Sequence, residues 1–105
     1  VIDYDLIDRL LERVDDETGS GSVLVFLPGV GEVTNLIERL SSHPRFAPRH
    51  GRHLLVPLHS QCNPVEQREA FKIPPEHVRK IVVATNVAET SVTVSLLLFP
   101  CGQLD

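Results

Sequence analysis

Three apolar segments of the chain are each followed at once by glycine or by small polar residues. Pro28-Gly29 follows the first segment, His59-Ser60 the second and Thr85-Asn86 the third. Short hydroxyl, amide and backbone N–H groups at such positions can hydrogen-bond to a bound ligand. Whether the three pairs can act together depends on the elements that carry them.

The hydrophobic pattern predicts those elements. Apolar residues at helical spacing, and an Asn-Pro start for the last one, predict three helices over about residues 3–15, 31–41 and 64–71. Short apolar runs predict four strands over about residues 23–27, 54–58, 81–84 and 92–99. Residues 86–89 are predicted to begin a short helix, and residues 43–53 are predicted to form a polar loop.

The alternation of helices with apolar strands favours an α/β fold with a parallel sheet covered on both faces. Right-handed crossovers then bring the carboxyl end of every strand to one edge, where open α/β sheets bind ligands. We therefore expect Gly29, His59 and Thr85 to line up on that edge. This reasoning predicts a surface but not its ligand.

The composition is that of an ordinary globular domain, with 42% hydrophobic and 23% charged residues, which excludes a disordered tail. The net charge is 10 − 14 = −4, which excludes a mainly basic nucleic-acid-binding arm. Residues 1–18 hold seven acids and two arginines, whereas residues 43–53 hold three arginines, three histidines and no acid. A polyanionic partner would have to meet such local positive spots. A solvated loop is the simpler interpretation of residues 43–53.

The sequence contains no signal peptide, and its longest apolar run, residues 96–100, is far shorter than the ~20 residues that span a bilayer. We therefore expect an intracellular protein without a membrane partner, in either the cytoplasm or the nucleus. The chain begins with Val1, so we expect it to be part of a longer protein.

No metal site is expected from the cysteines and histidines. Cys62 and Cys101 form no CxxC pair. Four histidines lie between residues 43 and 59, and their spacing fits no common zinc finger. They are His43, His50, His53 and His59.

Residues 80–94, which read KIVVATNVAETSVTV, resemble motif V of the DEAH-box RNA helicases nearly residue for residue. Two further segments resemble blocks of the same family, in the expected order. Residues 24–29, followed by Glu32, are similar to motif IV, and residues 57–60, followed by Glu66-Gln67 and Phe71, are similar to the next block.

This resemblance implies a RecA-like, P-loop NTPase-like α/β domain with three layers, incomplete at its C-terminus. It covers residues 1–94 as a partial helicase C-terminal domain, the second RecA-like lobe, and leaves residues 95–105 as a divergent apolar tail. The implied function is part of an ATP-dependent RNA helicase that grips the RNA backbone and senses ATP between two lobes. ATP with Mg²⁺ would be bound mainly by the first lobe, and the implied partners are RNA, that lobe and the C-terminal helicase domains.

The resemblance also assigns roles to individual residues. Thr85 and Asn86 would contact the RNA backbone, Gly29 would let the strand approach closely, and His59 and Ser60 would lie on the same RNA-binding side. Ser91 and Thr93 would face the nucleotide and sense its terminal phosphate. Taken alone, Thr85-Asn86 could instead be a helix cap, and His59 could be purely structural.

The sequence departs from the family in two ways. Ser95 stands where the family has an acidic residue, and residues 95–105 do not match. The chain also contains no G-x-x-x-x-G-K-[ST] loop, no D-E-x-H box and no Q-R-x-G-R-x-G-R segment. We therefore expect the isolated chain not to hydrolyse ATP. The alternative interpretation is a RecA-like module that lacks catalysis and acts through protein contacts.

Overall fold

The computed structural model describes residues 2–18, 21–59, 63–69, 72–75, 77–85 and 95–99. The helices are α1 (Tyr4–Thr18), α2 (Val30–Ser41) and α3 (Pro64–Glu69), with a single 3₁₀ turn at Pro48–His50. The strands are β1 (Ser22–Leu27), β2 (His53–Leu58), β3 (Arg79–Thr85) and β4 (Ser95–Phe99). The predicted helix at 86–89 and the first residues of the predicted fourth strand lie outside the described residues.

Three of the strands form a parallel sheet, as the sequence predicts. β3 lies in the centre, with β2 on one side and β1 on the other. The chain passes from β1 through α2 to the far strand β2, and then returns through α3 to β3. Because these two crossovers run in opposite directions, right-handed connections put α2 and α3 on opposite faces of the sheet. This confirms the α/β, RecA-like fold class.

The fourth strand corrects the expectation that every carboxyl end reaches one edge. β4 lies beside β1 and runs antiparallel to it, with Ser95 opposite Phe26 and Phe99 opposite Ser22. Only residues 86–94 separate β3 from β4. A crossover to a parallel strand needs a dozen or more residues. The chain therefore re-enters the sheet from the edge at which it left β3.

The main hydrophobic core lies between one face of the sheet and the helices α1 and α2. Alternate residues of β1 and β3 point into it, because successive side chains of a strand face opposite sides. The core is completed by apolar residues of both helices and of the loop after α2: Ile7, Leu11, Val33, Leu36, Leu40 and Phe46. Val56 and Val82 form a smaller cluster on the other face of the sheet.

Polar contacts fix α1 in place at its start and against α2. The Asp3 carboxylate accepts a hydrogen bond from the Leu6 N–H at 3.1 Å and so caps the first turn of α1. The Arg39 guanidinium of α2 donates to Asp8 at 2.7 Å and also to Asp5. The hydrogen bond to Asp8 is the main cause that raises the pKa of Arg39 above its ordinary value. Arg39 therefore stays charged at physiological pH. The ion pair between α1 and α2 is not lost through deprotonation of this arginine.

No helix within the described residues combines the length and the apolar character needed to cross a bilayer.

Candidate functional site

The carboxyl ends of the three parallel strands lie side by side. Leu27, the last residue of β1, is the register partner of Thr85, the last residue of β3. Leu58, the last residue of β2, is the partner of Ala84. Because neighbouring strands are about 4.8 Å apart, the residues that follow these ends share one edge of the sheet. Gly29, His59 and Thr85 are therefore brought together at this edge, which we call the carboxyl edge.

All three residues are half-buried. Thr85 thus lies at the surface end of a strand whose preceding residues, from Arg79 to Ala84, are buried. This position fits a side chain that meets a ligand at the edge of the sheet better than one that packs in the core.

Gly29 caps the amino end of α2. Its carbonyl accepts the hydrogen bond of the Val33 N–H at 3.1 Å, and its backbone is extended, with φ −153° and ψ 171°. A Cβ atom at this position would lie 2.6 Å from Oε1 of Glu32. The surface of Gly29 is thus covered in part by the far end of one flexible side chain.

Glu32 lies in the first turn of α2, where a carboxylate interacts favourably with the exposed N–H groups and the positive end of the helix dipole. The same N–H groups attract phosphates in many proteins. Glu32 therefore competes with any anion that approaches this end of α2. A phosphate that binds at this end of α2 must displace the Glu32 carboxylate or bind beside it.

Lys80, the first residue of the segment 80–94 that resembles motif V, has a structural role in this fold. Its side chain is buried, with 1% exposure, and its Nζ donates a hydrogen bond to the Lys72 carbonyl oxygen at 2.7 Å. The alkyl stem can pack in the sheet while the ammonium group reaches a backbone oxygen. Lys80 holds the segment before β3 against the strand and is not part of the carboxyl edge.

The opposite edge of the sheet carries a charged cluster that the sequence reasoning missed. Asp15 of α1 lies 2.9 Å from Nε of Arg79, and both of its oxygens lie 3.2 Å from Nε2 of His53. Arg79 and His53 are register partners at the first positions of β3 and β2. A second nitrogen of Arg79 donates to the Thr18 hydroxyl at 2.8 Å. We call this side of the sheet the amino edge.

The loop after α2 is bound to the acidic helix α1. His43 lies 3.1 Å from Glu12, and Arg45 lies 2.9 Å from Asp16 and donates to the Glu12 carbonyl oxygen at 3.0 Å. Phe46 is fully buried, and its ring centre lies 4.8 Å from that of His43. The expectation of a merely solvated loop is therefore wrong for its first half. The opposite charges of residues 1–18 and 43–53 were the feature of the sequence that could have predicted this contact.

In the described part of the chain, no group of three or more histidine, cysteine, aspartate and glutamate side chains is placed to hold a metal ion.

The chain matches no model of a known protein family. It is nevertheless similar to individual proteins along most of its length. A chloroplastic DExH-box ATP-dependent RNA helicase of Arabidopsis thaliana is 43% identical over 99 residues, which are 94% of this chain and 7% of that protein. The ATP-dependent DNA/RNA helicase DHX36 of Rattus norvegicus is 41% identical over 98 residues, 93% of this chain and 10% of that protein. The putative ATP-dependent RNA helicase DHX57 of Homo sapiens is 39% identical over 102 residues, 93% of this chain and 7% of that protein.

The chain belongs to the DExH/DEAH-box helicase family. These matches confirm the resemblance carried by residues 80–94. This DExH/DEAH-box segment spans only 7 to 10% of the length of the curated relatives named above.

Four of the site residues predicted for this DExH/DEAH-box segment lie outside the described residues. They are Ser60, Asn86, Ser91 and Thr93. Their assignment to RNA or to the nucleotide stays a prediction. Three of the five predicted RNA-binding residues, Gly29, His59 and Thr85, are described, and the fold places these three at one edge.

Proposed function

We propose that this chain is part of an ATP-dependent RNA helicase and that it forms a portion of the second RecA-like lobe. In this role its carboxyl edge grips the backbone of an RNA strand. The observation that carries the proposal is the register of Leu27 with Thr85, which puts Gly29 and Thr85 at the same edge of the sheet. The names of the relatives support the choice of RNA, since two are RNA helicases or putative ones and the third is a DNA/RNA helicase.

The chemistry of the carboxyl edge suits a backbone better than a base. Gly29 presents no side chain, and Thr85 presents one short hydroxyl group. Such groups hydrogen-bond to phosphate and sugar oxygens, which are the same in every nucleotide. Asn86, the next residue in the sequence, carries an amide that could make the same kind of contact. We therefore expect binding that is independent of base sequence and that weakens as salt is raised.

Nucleotide binding in the proposed helicase requires residues outside this chain. In the proposed helicase, ATP with Mg²⁺ is bound mainly by the first lobe, since no phosphate loop or arginine-rich segment is present in these 105 residues. Ser91 and Thr93 are proposed to face the terminal phosphate across the cleft between the lobes. Contacts made or lost with that phosphate would bias the closure of the two lobes.

A matched pair of double variants tests the grip on RNA. Thr85→Ala/Asn86→Ala removes the Thr85 hydroxyl at the carboxyl edge and the amide of the next residue in sequence, whereas Thr34→Ala/Asn35→Ala removes the same groups from the exposed side of α2. Binding of a labelled single-stranded RNA is measured by fluorescence anisotropy, and folding is checked by circular dichroism. We expect the first variant to bind roughly tenfold more weakly, as the loss of one or two hydrogen bonds to a charged group predicts. Equal affinities of the two folded variants would refute the assignment.

A further inference from the structure

The arginines and histidines of residues 43–53 separate into two groups. The first group, His43, Arg45 and His53, is paired with carboxylates of α1. The second group, Arg49, His50 and Arg52, is exposed. Within the described residues, the side chains of this second group make no hydrogen bond or ion pair. The acidic helix thus pairs with residues at both ends of the segment and leaves Arg49 and Arg52 between them without a carboxylate partner among the described residues.

Two residues of the second group, His50 and Arg52, border a polar cavity of about 540 Å³ at the amino edge, and Arg49 is exposed on the same turn outside the cavity. His50 and Arg52 line it together with Arg45, His53, Pro44 and two carboxylates, those of Asp15 and Asp16. Both carboxylates are already engaged, Asp15 by Arg79 and His53 and Asp16 by Arg45. The charge that remains uncompensated at the rim of the cavity is therefore positive.

This surface is separate from the carboxyl edge. The carbonyl oxygen of Arg52 accepts a hydrogen bond from the Arg79 N–H at 2.9 Å, which fixes Arg52 beside the first residue of β3. Thr85 is the last residue of the same strand. At about 3.3 Å per residue, the two ends of β3 are roughly 20 Å apart. One phosphate group cannot contact both Arg52 and Thr85.

We propose that residues 48–52 form a second phosphate-contacting surface, which binds the backbone of an RNA strand through Arg49 and Arg52. The planar guanidinium groups of arginine match phosphate oxygens in two-pronged hydrogen bonds. The chain as a whole is negative, so a polyanion is held only where local charge is free, and these two arginines provide it. The choice of RNA as the polyanion rests on the proposed function.

The test compares two variants that lower the net charge equally. Arg49→Gln/Arg52→Gln removes the free charges of the loop, whereas Arg9→Gln/Arg13→Gln removes two exposed arginines of α1. RNA affinity is measured over a series of salt concentrations. We expect the loop variant to bind about tenfold more weakly than the α1 variant at low salt. Its plot of log K against log salt should also lose a slope of roughly 0.7 for each phosphate contact removed.

Failure of this proposal and failure of the proposed function give different results. Equal affinities and slopes for the loop and α1 variants would overturn the second surface, whereas Thr85→Ala/Asn86→Ala could still weaken binding. If only the loop variant weakens binding, the second surface stands and the grip at the carboxyl edge is refuted. A decaglutamate peptide provides a further arm. If it binds to the loop as tightly as an RNA of equal charge, an acidic protein segment replaces RNA as the partner and the proposal is overturned.

Discussion

Asp15 lies 2.9 Å from Nε of Arg79 and joins the last turns of α1 to the first residue of the central strand. Only 5% of the Arg79 side chain and 20% of the Asp15 side chain are exposed. The same carboxylate also faces His53, whose side chain is 4% exposed. One acidic side chain therefore compensates the buried Arg79 guanidinium and also contacts the buried His53 ring at the amino edge of the sheet.

Asp15→Asn is expected to lower the free energy of unfolding by about 3 kcal/mol, because removal of one partner leaves a buried charge uncompensated. The substitution keeps the shape of the side chain, so the loss reports the charge and not a cavity. Urea denaturation followed by circular dichroism measures it. Asp16→Asn is the matched control, since the Asp16 side chain is 65% exposed and pairs only with Arg45 among the described residues. The control should lose less than about 1 kcal/mol. Equal losses would show that burial of the cluster contributes nothing.

The charge pattern of the sequence indicated which two segments attract each other, but not which residues form ion pairs. A strongly acidic first helix and a basic segment after α2 are visible without a structure. Which basic residue pairs with which acid was not predictable, because it depends on how α1 lies across the amino edge. Arg79 in particular is next to an apolar strand segment in sequence, and nothing in that segment indicates that it pairs with Asp15 of α1.

Gly31→Ala is expected to raise the free energy of unfolding by about 0.5 kcal/mol. Gly31 lies in the first turn of α2, and a Cβ atom there would have no neighbour within 4 Å. Alanine reduces the freedom of the unfolded chain without a clash in the folded one. Thermal unfolding measures the change. RNA affinity should stay the same, and a loss of stability would contradict the open space around this residue.

Gly29→Ala is expected to separate binding from stability. The added methyl group displaces the carboxylate of Glu32, which can move because it is the end of a flexible side chain. Alanine is a poorer N-cap than glycine, so we expect a loss of about 1 kcal/mol in the free energy of unfolding. If a backbone phosphate approaches Gly29 closely, RNA affinity falls in the folded variant, whereas Gly31→Ala leaves it intact. Unchanged affinity of folded Gly29→Ala would remove Gly29 from the proposed interface.

The carboxyl edge shows why some site residues can be predicted from sequence. In a parallel sheet, the position of a residue just after an apolar run already determines the edge at which it lies. This was sufficient to place Gly29, His59 and Thr85 at the carboxyl edge, and their contact with RNA stays a prediction. The same rule failed for β4, because it assumes a crossover between strands, and residues 86–94 are too few for one. The position of Glu32 over Gly29 was not predictable either, since it depends on the rotamer of one side chain.

The 105-residue chain alone is expected not to hydrolyse ATP measurably, with or without RNA. Phosphoryl transfer needs a cradle for the phosphates and positive groups that neutralise the developing charge. The sequence contains neither a phosphate loop nor an arginine-rich segment of the family type. Release of inorganic phosphate from ATP is the measurement. Turnover that rises when RNA is added, in a preparation free of other ATPases, would contradict this prediction.

The chain is expected to self-associate as its concentration rises. β4 is the outermost strand on its side of the described sheet, and its sequence, Ser95–Phe99, contains neither a charge nor a proline. An edge strand of this kind offers unpaired backbone groups to another chain. Size-exclusion chromatography at several concentrations measures the association.

Ser95→Lys puts a charge at the start of the edge strand and should shift the chain toward monomer, because a charged edge resists pairing. A single monomer peak for the unsubstituted chain at every concentration would refute the prediction, and equal association of both chains would place the contact elsewhere.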